Sequence, residues 1–599
     1  MAWIGIDLGT TNSCVARFLT SEVQFVEDIS GRRTIPSCVA FTETRRLFGQ
    51  EALTQTIINP ENTIFEIKRL IGRNFDEKAI QKSRSVWPFQ IVRDGNMPKI
   101  LIQRGDIKEI YSAESILSML LNYMKDLAMK QWKKKISGAV ISVPAYFNSN
   151  QRNSTINAAK AAGLNVVAIL DESTAAALAF GFPFDMTTKS NILVFDLGGG
   201  TCDVTILNLE GGRISVKATA GDTHLGGIDF NLKLIDYCLD EFKNRFHLKY
   251  FCPDKLSMAR LNEACEEAKI RLSKETSVTI KVDRFTREND LHVAVNRELF
   301  QNLIRGLIGK TSFLIERALA DAELKKEAIQ HVILIGGSTR VPLVQKHVAD
   351  YFTDCKLNKS MNPDETVAYG AAIRAAMASG NPTDILNYLN LQDVIPLTIS
   401  VATTDDSCLH KIFPRNTRVP ASTTMTFPIE KPGSKHVPFF IYEGERVRAV
   451  DNKHVGTFRC NPNPWSCKIT LRFRVDENRA LSVTHMMTTD MERTVEIIRQ
   501  HDALSKQDIE NMIADAKRHA TEDKLELDRL QLLVDFEMEV RKILRTERRQ
   551  LVLLQSRNVI KQCERALDWI SNNATATVQQ IEEKRLSFLR SVRKCDLDV

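Results

Sequence analysis

The sequence holds no apolar run approaching the roughly 20 residues that a membrane-spanning helix needs, so no membrane contact is expected. It contains no CxxC pair and no HExxH, and its nearest cysteines, Cys460 and Cys467, stand seven apart among twelve. Zinc sites of the familiar spacings are thereby excluded, and the cysteines read as small buried hydrophobes of a reducing compartment. Basic runs with interleaved aromatics are also missing, so the net charge of +7 over 599 residues reads as a mildly basic surface with no nucleic-acid partner. Met1-Ala2-Trp3 leads straight into a strand pattern without signal-peptide features, and Cys595–Val599 carries no retention or lipidation signal. A cytoplasmic location is the expectation. No GxGxxG occurs, which leaves a dinucleotide fold unsupported. Gly309-Lys310-Thr311 has the ending of a P-loop, but the required first glycine would fall on Ile304, so it reads as a helix surface.

With 43% hydrophobic and 26% charged residues, the composition is that of a soluble globular protein, and the length calls for three or four domains. From Trp3 to about Gly380, short apolar runs (Ala139–Val143, Ile192–Phe195, Val332–Ile335) alternate with helical patterns (Glu114–Lys135, Asn153–Ala162, Leu256–Ser273), as an α/β architecture requires. From about Leu397 to Ile498 the pattern turns to period-two alternation with frequent Pro and Thr, as in Lys468–Phe473, which predicts an all-β region. Neither glycine nor proline occurs from Ser505 onward. Ser505-Lys506-Gln507-Asp508 there opens a stretch with Ile509, Met512 and Ile513 on one face, so the last hundred residues should be helical. The expected layout is residues 1–382 as a nucleotide-binding domain, 383–393 as a linker, 394–500 as a β-sandwich and 501–599 as a helical lid.

Two segments of the first region repeat one design. Ile4–Thr11 and Leu193–Thr201 each place an aspartate, Asp7 or Asp196, at a strand end, followed by glycines and a hydroxyl. Glycine lets backbone N–H groups approach an anion with no Cβ in the way. A carboxylate cannot face phosphate directly, so a cation or its water shell must stand between them. Two copies facing each other would clamp a polyphosphate and its metal from both sides. Gly336-Gly337-Ser338-Thr339-Arg340 supplies a third glycine turn after an apolar strand. Any one of these turns is more simply a tight turn; three together, two with a strand-end aspartate, favour phosphate.

These residues also carry a resemblance. Asp7–Asn12, Asp196–Asp203, Gly336–Arg340 and Asn362–Glu365 resemble the phosphate and adenosine motifs of the actin, sugar-kinase and heat-shock ATPase superfamily. The longer strings Lys68–Arg73, Val143–Phe147, Ala220–Gly227 and Val367–Ala372 resemble the seventy-kilodalton heat-shock chaperones, unbroken from residue 3 to about 380 and more loosely beyond. The resemblance implies an actin-like (ribonuclease H-like) α/β ATPase domain, a β-sandwich that holds extended apolar segments of unfolded polypeptides, and an α-helical lid. Its implied cofactors are ATP/ADP, Mg2+ and K+, and its implied partners include a J-domain co-chaperone and a nucleotide exchange factor.

By position, the resemblance makes Lys68 the residue that steadies the γ-phosphate and the attacking water. It sets Asp7, Glu172, Asp196 and Asp203 around the magnesium water shell and monovalent cations, and Thr10 and Thr201 near the γ-phosphate. Gly9, Thr11, Asn12, Gly198, Gly199, Gly200 and Gly336 fall in its phosphate turns. Glu266, Lys269 and Ser273, which share one helix face by their spacing, grip ribose and adenine together with Gly337, Ser338, Arg340 and Asp364. Val401, Thr404, Phe427 and Ile441 fall where the family lines its peptide groove, although as a pattern Val401, Phe427 and Ile441 are equally sandwich core.

Departures cluster in the second half. Thr404 and Glu430 stand where apolar groups arch over the peptide. Asp405-Asp406 replaces a Gly-Gly turn, and Arg479 replaces the glycine of an Asn-Gly hairpin, so both loops are expected to be reshaped. Asn390 and Gln392 interrupt the leucine run of the linker, and Ala168 stands in place of an arginine that serves linker and J-domain contacts, which predicts weaker J-domain stimulation. The expectation is therefore an ATP-hydrolysing chaperone. Its rivals are an ATP-binding regulatory or exchange-type relative with uncoupled peptide binding, and a sugar kinase, which would leave the β-region and lid unexplained.

Overall fold

The computed structural model describes the chain apart from residues 1, 21, 85, 182–188, 249–250, 354, 359–360, 381–389, 403–408, 429–435, 447–448, 450–451, 462–467, 487–491, 496, 500–524, 526–527, 530–531, 534, 545, 548–553, 574–575 and 598–599. It divides into two compact units, one of Met1–Val26 with Arg33–Ile513 and one of Glu27–Arg32 with Ala514–Val599.

The first unit contains two six-stranded sheets that share the topology of five strands. In the first, strands Val166–Asp171, Ile136–Val143 and Ala2–Asp7 run parallel, and Asn12–Leu19 and Glu22–Phe25 continue antiparallel, with Thr34–Pro36 beside Asn12–Leu19. In the second, Lys356–Asn358, His331–Ile335 and Ser190–Leu197 run parallel, and Cys202–Glu210 and Arg213–Asp222 follow antiparallel. The repeated Asp-Gly segments thus lie at the same place in both sheets, where the last parallel strand turns into the first antiparallel one. The central parallel strands are mostly apolar and buried, as burial on both faces requires.

Helix Glu172–Gly181, buried along its whole length, packs on the second sheet, and helix Thr366–Ala378 packs on the first. The two helices touch each other so closely that a Cβ on Gly370 would fall 1.7 Å from the Ala175 carbonyl oxygen. Small residues are what this crossing demands, and both helices are rich in alanine.

The expected helices appear as Ala113–Trp132, Ser149–Ala161 and Lys255–Leu272. Their limits follow capping chemistry that apolar periodicity does not report. Ser112 accepts from the Ser115 N–H, Asn148 and Gln151 form a capping box, and Lys133 closes the first helix in the left-handed region at φ 49°. Gly309, Lys310 and Thr311 do lie on a helix, Arg297–Asp321, although Thr311 itself is buried.

Two antiparallel sheets build the β-region. One runs His410–Phe413, Ile399–Ala402, Val437–Glu443, Lys453–Cys460 and Ile498–Arg499; the other runs Ala421–Pro428, Lys468–Val475, Leu481–Met486 and Glu492–Val495. Inward residues of both, among them Phe427, Phe439, Phe458 and Phe473, share one core, the arrangement of a sandwich. The hairpin expected to be reshaped at Arg479 instead stays tight, with Arg479 at φ 63° in the position a glycine favours. Asp476 explains the tolerance: its carboxylate accepts from the N–H groups of Asn478 (2.9 Å) and Ala480 (2.7 Å) and fixes the turn from within. The turn at Asp405-Asp406 and the arch position Glu430 lie outside the described residues.

Asn390–Gln392 forms a parallel edge strand against Arg213–Ser215 of the second sheet. Its polar side chains do not prevent this, because the pairing uses backbone groups and the alternation turns Leu391 toward the apolar core. In the second unit, helices Leu554–Asn572 and Val578–Leu597 close a core that includes Phe536, Val540, Val559, Ile581 and Phe588. No helix among the described residues is long and apolar enough to cross a membrane.

Candidate functional site

A cleft of about 660 Å³ opens in the first unit, where the repeated segments meet. Its lining includes Asp7, Gly9, Thr10, Thr11 and Asn12 from the first sheet, and Asp196, Gly198, Gly199 and Thr201 from the second. Lys68, Glu172, Glu266, Lys269, Ser273, Gly336, Gly337, Ser338, Arg340 and Asp364 complete the residues expected from sequence. Two expected residues stand back from it. Gly200 is packed behind Thr10, and its carbonyl accepts from Arg69 Nη2 at 3.3 Å. Asp203 is buried one layer deeper and accepts from the Ala145 N–H at 3.1 Å.

At the floor, Lys68 donates to both the Leu8 carbonyl and a Glu172 carboxylate oxygen. The ammonium is buried, as is the carboxylate, so the pair is held in a low-dielectric setting. Asp7 accepts from Ser142 Oγ at 2.9 Å. Burial, and then the neighbouring Glu172 charge, push the Asp7 carboxyl up to about 7. Burial followed by the charges of Glu172 and Asp203 raises Asp196 well above the usual carboxylate range, and burial with Glu172 does the same for Asp203. Oδ1 of Asp203 has no hydrogen-bond partner among the described residues. Several carboxylates crowd one lysine here, and their oxygens are the donor set a hard divalent cation prefers. The residues fit such an ion.

The opposite wall is braced internally. Lys269 Nζ donates to Glu266 (2.7 Å) and to the Gly227 carbonyl (3.2 Å), and Asn231 Nδ2 donates to Glu266 (2.6 Å). Arg340 Nη2 donates to Asp364 (2.7 Å) and Asn362 (2.8 Å), and Ser338 Oγ donates to the Gly198 carbonyl (2.7 Å), tying the third glycine turn to the second. Sequence reading did not single out Arg69, which bonds Asp229 at 3.0 Å at the start of helix Gly227–Phe246, or Ser142, Ile228 and Ile270. Arg69 does belong to the string Lys68–Arg73; for Ile270, isolated on an otherwise polar face, no local signal existed.

Outside the cleft, Val401 and Ile441 are direct partners across neighbouring strands, and Phe427 packs edge-on against Phe439. All three are fully buried in the sandwich core, while Thr404 lies outside the described residues. The cysteines at 14, 38, 202, 238, 265, 460 and 563 are free and buried, as expected of small hydrophobes.

Glycine turns, a buried lysine and metal-suited carboxylates between two like sheets define a nucleotide-binding, phosphoryl-transferring class of protein. Comparison with known proteins narrows this. The model of the family described as "Hsp70 protein" matches residues 3–596. The "Heat shock 70 kDa protein" of Emericella nidulans is 38% identical over 592 residues, covering 97% of this chain and 91% of the relative. The "Heat shock cognate 70 kDa protein 3" of Dictyostelium discoideum is 37% identical over 607 residues, 99% of this chain and 96% of the relative. A protein of Eremothecium gossypii named as a ribosome-associated molecular chaperone is 41% identical over 530 residues, 87% and 86% respectively. The chain belongs to the Hsp70 family. It is an ATP-dependent molecular chaperone, and its enzymatic activity is ATP hydrolysis.

Proposed function

We propose that residues 1–382 form an actin-like ATPase domain whose cleft hydrolyses ATP to ADP and phosphate. The proposed remainder is a linker at 383–393, a sandwich at 394–500 that holds extended apolar polypeptide, and a helical lid at 501–599. The observation that carries the reading is the convergence of Lys68, Asp7, Glu172 and Asp196 at the floor of one cleft. The glycine turns at Gly9–Thr11, Gly198–Gly199 and Gly336–Gly337 present backbone N–H groups to the phosphates. Lys68, held by Leu8 and Glu172, steadies the γ-phosphate and the attacking water, while Glu266, Lys269, Ser273 and Arg340 grip the nucleoside. Asp7 and Asp196 would hold Mg2+ through its water shell, and the ion when bound would supply neutralisation of phosphate charge. Asp203, with its unpartnered oxygen, is the proposed contact for K+.

Little covalent chemistry is asked of the protein; positioning and charge do the work. Partners on this reading are unfolded polypeptides, a J-domain co-chaperone and a nucleotide exchange factor, in the cytoplasm. J-domain stimulation is weaker than in relatives with arginine at the position of Ala168; full stimulation by a cytosolic J-domain protein rejects that point. The cleft assignment is tested by single-turnover phosphate release from purified chain with Mg2+ and with the metal chelated. Metal-dependent release is expected, and equal release in both arms would overturn it.

A further inference from the structure

The turn Gly198–Thr201 joins the antiparallel strands Ser190–Leu197 and Cys202–Glu210. In a planar trans peptide unit the carbonyl and the N–H that follows it point opposite ways. A bonded carbonyl therefore fixes where the next N–H is aimed. Three successive units of this turn have their carbonyls tied. The Gly198 carbonyl accepts from the Gly227 N–H at 3.0 Å and from Ser338 Oγ at 2.7 Å, and the Gly199 carbonyl accepts from the Ile228 N–H at 2.8 Å. The Gly200 carbonyl accepts from Arg69 Nη2 at 3.3 Å. The N–H groups of Gly199, Gly200 and Thr201 make no hydrogen bond among the described residues. Tied carbonyls on one side and free N–H groups on the other are what a nest for anionic oxygens requires.

The tethers differ in origin. Gly227, Ile228 and Ser338 follow strands of the second sheet, whereas Arg69 stands one residue after Lys68, in the chain between strands of the first. Arg69 is itself fixed from two sides. Its guanidinium is buried, and Nη2 also donates to Asp229 Oδ2 at 3.0 Å, the oxygen that accepts from the Gly226 N–H at 3.0 Å. On the other side Nη1 lies 3.8 Å from Glu66 Oε2, which accepts from Trp87 Nε1 at 3.1 Å. Packing closes the arrangement. A Cβ on Gly200 would fall 2.9 Å from Thr10 Cγ2 and 3.0 Å from Arg69 Nε, so this glycine is seated between two side chains that the first-sheet region supplies.

We infer that Arg69 is a positioning residue for the phosphate chain of the nucleotide: by holding the Gly200 carbonyl it aims the Thr201 N–H into the cleft. This rests on the proposed assignment of the cleft as the ATP site. One short segment thereby places the Lys68 ammonium and completes the nest that the second sheet region leaves unfinished. On the nucleoside wall, Glu266, Lys269, Ser273 and Arg340 have partners of their own, and Arg69 is not among them. Loss of Arg69 therefore weakens the hold on phosphate and leaves the hold on adenosine.

The test uses the full chain and the variants R69M, R69K and R69M/D229N. Affinities for adenosine and for a non-hydrolysable ATP analogue are measured by isothermal titration calorimetry with Mg2+ present, below the melting temperature that circular dichroism gives for each variant. R69M strands the Asp229 carboxylate in a buried place. The double variant removes both charges and carries the test if R69M melts early, and adenosine affinity reports in each case that the nucleoside wall is folded. The expected result for R69M and the double variant is affinity for the ATP analogue lowered by at least about fivefold, toward the roughly tenfold that one charge-assisted hydrogen bond is worth, with adenosine within about twofold of the parent. R69K keeps a charged donor and should recover part of the loss. Unchanged affinity for the ATP analogue in the double variant, or an equal loss for adenosine, would overturn the inference. A parent chain that binds the ATP analogue no more tightly than adenosine would instead overturn the cleft assignment, so the two failures are distinguishable.

Discussion

Lys68→Ala perturbs the site where the opposing charges are most concentrated. The ammonium is buried and serves the Leu8 carbonyl and Glu172 together, beside Asp7, Asp196 and Asp203. Two unit charges 4 Å apart interact by about 4 kcal/mol at an effective dielectric of about 20, so loss of the lysine is felt by each neighbour. In the folded protein without ligand, the damage is limited because the carboxylates take up protons: Asp7 already titrates at about 7. No such relief exists for the transferring phosphoryl group. Removal of one preorganised charge-stabilising donor lowers a rate by about 10²- to 10³-fold, and Lys68 also orients the water on the proposed reading. Single-turnover phosphate release should therefore fall by at least about 10²-fold. Affinity for a fluorescent ATP analogue should stay within a few fold, because Glu266, Lys269 and Arg340 keep their own partners. Parent-like hydrolysis by Lys68→Ala would refute the reasoning; a matching loss of nucleotide binding would show that the lysine serves binding and not the chemical step.

Gly370→Ala should destabilise the first unit by at least about 3 kcal/mol in urea titration, because its Cβ would fall 1.7 Å from a backbone oxygen that no rotamer change can move. His224 is pushed down to about 3 by burial and by the charges of Arg73 and Arg69. The unfolded chain binds its proton near pH 6.5 and the folded one does not, so this contribution to stability is present above pH 6.5 and is lost as pH falls toward 3, by at most about 1.4 kcal/mol per unit. His224→Gln should flatten that slope, read as urea midpoints between pH 7 and 5. Leu391→Asp places a charge where the edge strand meets the core, and should lower the thermal midpoint while leaving Lys68 and the cleft untouched.

The cleft was legible because its chemistry is local. Each phosphate turn is an apolar strand followed by glycines, two of the three with an acidic residue at the strand end, all within about ten positions, and the spacing of Glu266, Lys269 and Ser273 is a helix face. The layer behind it was less legible: Gly200 and Asp203 belong to the same segment as Asp196, yet their side of the turn faces inward. The partner of Arg479 was hidden altogether. Read alone, Arg479 was a misplaced turn residue; only in space does it meet Asp171, 308 positions away in sequence. The hairpin itself survived through Asp476, a side-chain device that a glycine-based expectation passes over. Similarly, Val401, Phe427 and Ile441 share the alternation of every sandwich core, and burial is what the structure adds.

The central claim is an ATPase coupled to a polypeptide-holding module. ATP turnover by the full chain, measured with and without an extended apolar peptide, tests it most directly. The account predicts Mg2+-dependent turnover that the peptide accelerates. Turnover that ignores the peptide would contradict the coupling, and no turnover in either arm would contradict the account as a whole.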